Sequence, residues 1–276
     1  MSLSTSTVNH KMEEMINVVS PLNFCLNSFE AHDLDAQERA SLLDRIDNKF
    51  VINIHDLPAI LLAIKNSYSI LSINDENLFD YETVYYDTQA FDLYHMHHAG
   101  KKNRFKLRTR RYLQTNKTYH EIKIKDNKGL TKKVRQEQLA NSTTSTFNKS
   151  LLKDTLNIDA DDFNKKVRVK YKRFTLLNKL SNQRVTVDIN IQFENMDNHH
   201  LKQMNNIAII EIKRERSDHQ LKQSFLHSVL KKMAYRETTF SKYCMGCLLT
   251  KIKGIKYNHF KTNLLDLLDL SYASYH

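Results

Sequence analysis

The sequence predicts an α+β fold built on a closed antiparallel β-barrel, with a charged lumen and helices packed on the outside. At least six stretches alternate charged and apolar residues with the period of two that half-buried strands show. The stretches between them have helical spacing, and helices need the apolar faces of the strands to pack on. The charged faces must then look inward, which a sheet closed on itself achieves. An open sheet with water on its charged face is the alternative.

Charge is the most informative part of the composition. The 276 residues include 42 Lys and Arg against 31 Asp and Glu, a formal net charge of +11. That excess favours an anionic partner, such as a phosphorylated metabolite, a nucleic acid or a membrane surface. No apolar run approaches the roughly 20 residues of a membrane span or resembles a signal segment, so a cytoplasmic location is expected.

The chain is expected to have three parts: an N-terminal helical segment (1–43), a barrel domain (44–250) and a C-terminal tail (251–276), whose role the sequence does not indicate. In the first part, VNHKMEEMINVV has helical spacing, and a second helix, LDAQERASLLD, is expected to begin behind Asp33 or Asp35.

The first predicted barrel strand is RIDNKFVINI at 45–54, in which Arg45, Asp47 and Lys49 share one face. Asp56 is expected to cap the helix that follows, with Pro58 in its first turn.

A second strand, YETVYYDT at 81–88, precedes a short helical turn with three histidines. His95, His97 and His98 suggest a metal site, but histidines at a helix end are more often simply exposed polar residues.

The densest charge pattern lies in the predicted hairpin 104–125. Its alternating charged residues are Arg104, Lys106, Arg108 and Arg110 in the first strand and Glu121, Lys123 and Lys125 in the second. Like charges on one sheet face repel unless an anion lies among them, so this hairpin is the best candidate for an anion site. The alternative is a solvated outer face of an ordinary sheet.

Further strands are predicted at 165–174, 184–193 and 207–215, with another possible strand in NKGLTKKVRQE. In the 184–193 strand the alternation places Asp188 opposite Ile191. A helix capped by Ser217 is expected next.

The three cysteines, an odd number, argue against a disulfide framework. Cys244 and Cys247 form a C-x-x-C without a second pair, so a buried structural role is more consistent with them than zinc or redox chemistry.

Several motifs in order resemble the polyphosphate-polymerase domain of the vacuolar transporter chaperone (VTC) complex, a member of the triphosphate tunnel metalloenzymes, or CYTH-like fold. They are R-x-D-x-K-F at 45–50, Y-Y-D-T at 85–88, R-T-R-R-Y at 108–112, E-I-K at 121–123, K-Y-K-R at 170–173, R-V-T-V-D at 184–188, I-E-I-K at 210–213 and F-S-K-Y at 240–243. Each motif alone is weak, but their order and spacing over residues 45–249 are fairly specific.

The resemblance implies a tunnel that holds triphosphate and polyphosphate, and a role for each matched residue. The residues that it assigns to catalysis are Arg108, Arg110, Lys123 and Lys242. Those that it assigns to substrate binding are Lys49, Lys133 (with Lys132 as the alternative), Tyr171, Arg173, Lys213 and Ser241. Glu211 is the implied ligand of a divalent metal, Mn²⁺ or Mg²⁺. Thr239 departs from the polymerase pattern, which can have another lysine there.

Structural roles are the alternative for several of these residues. Lys123 and Lys213 could form ion pairs of little energetic value. Tyr171 could be an ordinary core tyrosine. Asp188 could form a salt bridge with Arg110 or Arg173, or it could bind metal.

The leading hypothesis is a polyphosphate polymerase that transfers the γ-phosphoryl group of ATP to a growing chain. Pyrophosphate or triphosphate would also bind, and a membrane-protein partner and the oligomeric state are open. A triphosphate hydrolase of the same superfamily is the nearest alternative. Those hydrolases typically begin with E-x-E-x-K, whereas Arg45 and Asp47 stand there in this sequence, which favours the polymerase.

A noncatalytic polyanion binder is the alternative from another class. Single-strand nucleic-acid binders interleave cations with aromatic stacking platforms. In the run 104–111 the only aromatic residue is Phe105, which faces away from the cations, so a nucleic-acid partner is not expected.

Overall fold

The computed structural model describes residues 21–40, 45–128, 130–138, 147–215 and 224–272. As predicted, the fold is α+β. The strands are β1 (Glu30–His32), β2 (Arg45–Asn53), β3 (Tyr68–Leu71), β4 (Phe79–Asp87), β5 (Arg104–Tyr112), β6 (Lys117–Lys125), β7 (Thr131–Glu137), β8 (Asn164–Asn178), β9 (Arg184–Asn195), β10 (Leu201–Met204) and β11 (Ile207–Glu215). The labelled α-helices are α1 (Leu34–Arg39), α2 (Leu57–Ile64), α3 (Asp92–His98), α4 (Lys149–Leu156), α5 (Phe225–Lys232), α6 (Lys242–Leu249) and α7 (Lys261–Tyr272).

The main sheet is antiparallel and runs in the order β2-β11-β9-β8-β4-β5-β6-β7. Its end strands, β2 and β7, do not pair in the described part of the chain, so the predicted closed barrel is wrong. The sheet nevertheless curls strongly. Nζ of Lys123 on β6 lies 3.7 Å from Oδ2 of Asp47 on β2, although five other strands lie between β2 and β6 in the sheet. The result is an open half-barrel, because the twist of the strands brings the two edges near each other without joining them.

Most helices cover the convex face, as predicted. Helices α2 and α5, with the helical segment 21–27, pack on apolar residues of β2, β8, β9 and β11. Helices α3 and α4 pack on β4, β5 and β6, where Leu107 and Ile122 are fully buried. These apolar residues alternate with the charged residues of the other face, so the period of two in the sequence positions both layers.

Helix α6 is the exception, because it lies against the concave face. Cys244 and Cys247 pack there with Val167 and Phe193. A Cβ atom at Gly246 would lie only 2.6 Å from Cγ1 of Val167, so the helix approaches the sheet at a distance that only glycine allows. The prediction that all helices lie outside the barrel is therefore wrong for α6. The C-terminal helix α7 packs against the same cluster through Leu267.

A bulge in β9 explains why one predicted side-chain orientation is wrong. Asn190 has a left-handed backbone with φ of 51°. The pairing of β8 with β9 shifts by one residue between Lys170 and Lys172. The extra residue changes which positions face inward. Asp188 faces the concave side before the bulge, and Ile191 also faces it after the bulge.

The predicted N-terminal helical segment and helix starts are only partly correct. The short strand β1 pairs with β3 within the segment predicted to be helical. Asp33 caps α1 as predicted. Asp56 makes no capping hydrogen bond to α2, and its carboxylate instead accepts a hydrogen bond from Tyr235. Ser217 and the predicted helix VNHKMEEMINVV (8–19) lie outside the described residues.

In the described part of the chain, none of the helices combines the length and the hydropathy that crossing a membrane requires.

Candidate functional site

The concave face has two halves, which follow one another along the strands. In the apolar half, α6 and α7 pack in one cluster with Val51, Tyr85, Val167, Val169, Ile191, Phe193, Ile207 and Ile209. By strand register, the cations of the charged half are Arg45, Lys49, Arg104, Lys106, Arg108, Arg110, Lys117, Lys123, Lys125, Lys133, Arg135, Arg173, Arg184, Lys213 and, from α6, Lys242, and the carboxylates are Asp47, Glu121, Glu137, Asp188, Glu211 and Glu215. Cations thus outnumber carboxylates by more than two to one, an arrangement that attracts anions.

Glu121 organises the centre of the charged half. It is only 1% exposed, and its Oε2 accepts a hydrogen bond from Nε of Arg108 at 2.6 Å. Lys133 pairs with its other carboxylate oxygen. Burial opposes ionisation of Glu121, but Arg108, Arg110 and Lys133 outweigh it and hold its pKa below the usual range. One carboxylate therefore fixes two cations and leaves net positive charge.

Asp188 performs the same task for two other cations. Arg173 donates two hydrogen bonds to it, at 2.5 and 2.8 Å, and Lys242 donates a third. Burial raises the pKa of Asp188, but Arg173 and Lys242 lower it by more. The salt bridge to Arg173, one of the open alternatives, is thus the arrangement in the structure, and the bidentate geometry is the strong form of this pair.

Glu211 lies between two lysines. Its Oε1 is 3.2 Å from Nζ of Lys49, and its Oε2 is 2.5 Å from Nζ of Lys213, which also donates to Thr186. Burial, which Glu211 only partly offsets, lowers the pKa of Lys213 to about 8. Among the described residues, no three His, Cys, Asp or Glu side chains are grouped as metal ligands.

These surroundings fit a metal that arrives on phosphate oxygens better than a metal that the protein holds alone. Mg²⁺ commonly binds in that way, through one or two carboxylates, substrate phosphates and water. The metal role of Glu211 stays a prediction.

Tyr171 stands out because its hydroxyl is buried and has no hydrogen-bond partner among the described residues. The residue is 2% exposed, and its ring lies under Nζ of Lys242 at 4.9 Å and Cζ of Arg173 at 5.3 Å. Burial raises the pKa of the phenol, but Arg110 and Arg173 lower it by more. An unsatisfied buried hydroxyl beside cations is suited to a phosphate oxygen.

Arg110 differs from the other buried arginines of the charged half. Its Nε donates to Thr83 at 3.4 Å, and its Cζ lies 5.7 Å from the ring centre of Tyr81. Its partners are therefore a hydroxyl and an aromatic ring, which leave its positive charge less neutralised than that of Arg108 or Arg173.

Lys106 is a functional candidate that the sequence interpretation did not assign. Its Nζ donates to Oγ of Ser241 at 3.1 Å, and that hydroxyl also caps α6 by accepting from the backbone of Cys244. Burial lowers the pKa of Lys106 to about 7, and neighbouring cations such as Lys123 contribute. In the sequence, Lys106 alternates with Arg108 and Arg110, and this pattern could have identified it as a site residue.

The predicted site residues all lie on the charged half or at its border with α6, although their proposed roles are not tested by their position. Among the described residues, the histidines of α3 and the cysteine pair of α6 do not belong to a group of three side chains that could hold a metal. Burial lowers the pKa of His97 to about 2, which keeps its imidazole neutral. Cys244 and Cys247 are free and buried thiols with raised pKa values.

Comparison with known proteins gives one family match and several distant structures. A family model described as the VTC domain matches residues 44–251. A candidate adenylate cyclase from Vibrio parahaemolyticus is 12% identical, with a TM-score of 0.45, and the match covers 74% of this chain and 97% of that one.

Two further structures are similarly distant. A candidate adenylyl cyclase from Hippeastrum with a dominant triphosphatase activity is 14% identical, with a TM-score of 0.42, covering 73% of this chain and 94% of that one. A protein from Pyrococcus horikoshii is 14% identical, with a TM-score of 0.43, covering 75% and 99%. No curated protein matches the sequence.

Proposed function

The chain belongs to the VTC-domain family, and from this premise we propose that it is a metal-dependent polyphosphate polymerase that uses ATP as donor. The supporting observation is the charged half of the concave face, where buried cations exceed the carboxylates that hold them. Such a surface stabilises a triphosphate and a phosphate chain side by side.

The proposed division of labour is the one that the resemblance to the VTC polymerase domain implies. Arg108, Arg110, Lys123 and Lys242 neutralise charge on the transferring phosphoryl group. Arginine provides a forked, permanently charged donor set that fits phosphate oxygens. Phosphoryl transfer depends mainly on positioning and charge neutralisation, which these residues supply.

The remaining predicted residues bind the two phosphate chains. They are Lys49, Lys133, Tyr171, Arg173, Lys213 and Ser241. The acceptor is the terminal phosphate of the chain, which is already anionic and needs no general base. Holding donor and acceptor in line gives the effective concentration that favours transfer to the chain over transfer to water.

A divalent metal, Mn²⁺ or Mg²⁺, would bind through Glu211 and phosphate oxygens and would withdraw charge from the transferring group. For Glu211→Gln we expect triphosphate binding to persist and its enhancement by Mn²⁺ to disappear. Calorimetry with tripolyphosphate, with and without Mn²⁺, measures both effects. An unchanged enhancement would remove Glu211 from this role.

The deciding experiment incubates the protein with ATP, a divalent metal and pyrophosphate or short polyphosphate. We expect primer to stimulate ADP release and the released phosphoryl groups to appear in a lengthening chain on a gel. Free phosphate accumulating in step with ADP, whatever the primer, would instead identify a triphosphate hydrolase. If neither product forms with any metal, the protein is a polyanion binder. The proposal places the protein in the cytoplasm, where ATP is available.

A further inference from the structure

Four tyrosines from four strands form a continuous ladder on the concave face. The register places Tyr81 on β4 directly beside Tyr171 on β8 and Tyr112 on β5. The rings of Tyr81 and Tyr171 stack at 5.3 Å and 9°, and the ring centres of Tyr81 and Tyr112 are 5.0 Å apart. Tyr119 on β6 extends the ladder, edge to face with Tyr112 at 5.7 Å. The sequence hides this ladder, since its members are widely separated along the chain.

The ladder runs from the buried charged half to a partly exposed end. Tyr171 is 2% exposed, whereas Tyr81, Tyr112 and Tyr119 are only partly buried. Cross-strand aromatic pairs stabilise a sheet, and that role alone accounts for the stacked rings of Tyr81 and Tyr171. It accounts less well for rings that continue out to solvent.

Cations accompany the ladder along its length. Cζ of Arg110 and Cζ of Arg173 lie 5.7 and 5.3 Å from the ring centre of Tyr81. At the exposed end, Cζ of Arg135 lies 5.1 Å from the ring centre of Tyr119. Aromatic rings interleaved with cations are the features that bind a nucleobase and its phosphates together.

The spacing along β5 suits one nucleotide. Arg110 and Arg108 precede Tyr112 in the sequence and lie on the same face of β5, roughly 7 and 13 Å from it along the strand. A base at Tyr112 would therefore have its phosphates beside these two arginines. We propose that the partly exposed end of the ladder, Tyr112 and Tyr119, stacks the base of the donor nucleotide, so that the site prefers purine nucleoside triphosphates. This inference rests on the proposed function and adds a donor preference to it.

Calorimetric titration of the full chain with ATP, CTP and tripolyphosphate tests the proposal. The variants are Tyr112→Leu, which removes the ring, and Tyr112→Phe, which keeps it. Tyr257→Leu is a matched control, because Tyr257 is 55% exposed and does not belong to the tyrosine ladder. We expect the wild type, Tyr112→Phe and Tyr257→Leu to bind ATP more tightly than CTP.

Tyr112→Leu should weaken ATP binding about 5- to 100-fold, so that the affinity for ATP approaches the affinity for CTP. The affinity for tripolyphosphate should change less than about twofold. Equal weakening of ATP and tripolyphosphate would show that Tyr112 is structural. A wild type that does not distinguish ATP from CTP would also overturn the proposal. If melting curves show that Tyr112→Leu does not fold, Tyr119→Leu at the exposed end provides the same comparison.

The two proposals fail in different ways. If ATP preference depends on Tyr112 but no polyphosphate forms, the base site stands and the polymerase assignment fails. If polyphosphate forms but the protein binds ATP and CTP with equal affinity, the base-site proposal fails and the polymerase assignment stands.

Discussion

In the charged half of the concave face, two cations share each of the carboxylates Glu121, Asp188 and Glu211, whereas in the apolar half packed apolar side chains fill the space. The change occurs along single strands. On β8, Val167 and Val169 precede Arg173, and on β11, Ile207 and Ile209 precede Glu211. The apolar half gains free energy from packing without a ligand. The charged half carries repulsion that an anion would relieve, so substitutions should separate stability from binding.

The largest effect is expected for Asp188→Asn in the charged half. It leaves the buried cations Arg173 and Lys242 without a carboxylate, at a cost of about 3 kcal/mol, or roughly 6–12 °C in melting temperature. Tripolyphosphate should restore more stability to this variant than to the wild type, because it supplies the missing negative charge. Thermal melts with and without tripolyphosphate measure both effects.

The matched control is Asp80→Asn on the convex side. Asp80 pairs with Lys172 at 2.9 Å, and both side chains are more than a third exposed. Such a pair contributes less than about 1 kcal/mol. Equal melting temperatures for Asp188→Asn and Asp80→Asn would contradict the view that Asp188 holds the charged half together.

In the apolar half, Gly246→Val should destabilise the protein, and tripolyphosphate should stabilise this variant only as much as it stabilises the wild type. The new side chain would overlap Val167, and overpacking of this kind costs about 1–3 kcal/mol. Gly246→Ala should have a smaller effect in the same direction. A larger stabilisation of either variant than of the wild type by the same tripolyphosphate concentration would mean that the two halves are coupled and not independent.

Arg110→Ala is expected to show the opposite behaviour. Losing one charged donor should weaken tripolyphosphate binding about 10- to 100-fold. The melting temperature without ligand should stay the same or rise, because Arg110 has a hydroxyl and a ring as its partners and lies among other cations. Arg111→Ala is the control, since Arg111 is exposed and bonds to Asn116. A large loss of stability in Arg110→Ala would make this arginine structural.

The smallest expected effect is a pH dependence of anion binding. In the free protein, burial lowers the pKa of Lys106 to about 7 and those of Lys133 and Lys213 to about 8. A bound anion raises these pKa values, so binding takes up protons and the affinity should rise several-fold as pH falls from about 8.5 to 6.5.

Calorimetry in two buffers of different ionisation enthalpy counts these protons. Lys106→Arg, whose charge does not titrate, should take up fewer protons than the wild type with the same ligand. Because both proteins bind the same ligand, the protons that the ligand itself takes up or releases cancel in this comparison. Identical proton uptake would remove Lys106 from the binding surface.

Alternation along single strands predicted much of this architecture. It located the cationic row of β5 and the apolar faces under the helices, because each strand carries both signals locally. It also predicted that Glu121 shares a face with Lys123. The pairing of Asp188 with Arg173 was one of three open alternatives, beside a pairing with Arg110 and metal binding, since the sequence does not state which strands are neighbours.

Three features depend on information that alternation lacks. Barrel closure depends on whether β2 and β7 meet, which is a property of the whole sheet. The bulge at Asn190 reverses the side-chain orientation after it by inserting one residue. The ladder of Tyr81, Tyr112, Tyr119 and Tyr171 depends on the register of four strands.

The position of α6 also has a kinetic consequence. Phosphate groups cannot pass through the apolar half, where Val167 and Phe193 pack against the helix, since burying an uncompensated charge is costly. Under the proposed function, a donor nucleotide and its product would therefore both enter and leave on the charged side of the half-barrel. The next nucleotide would then bind only after the last product has left. The tighter the charged half held that product, the more the dissociation rate of ADP, and not the transfer step, would limit turnover.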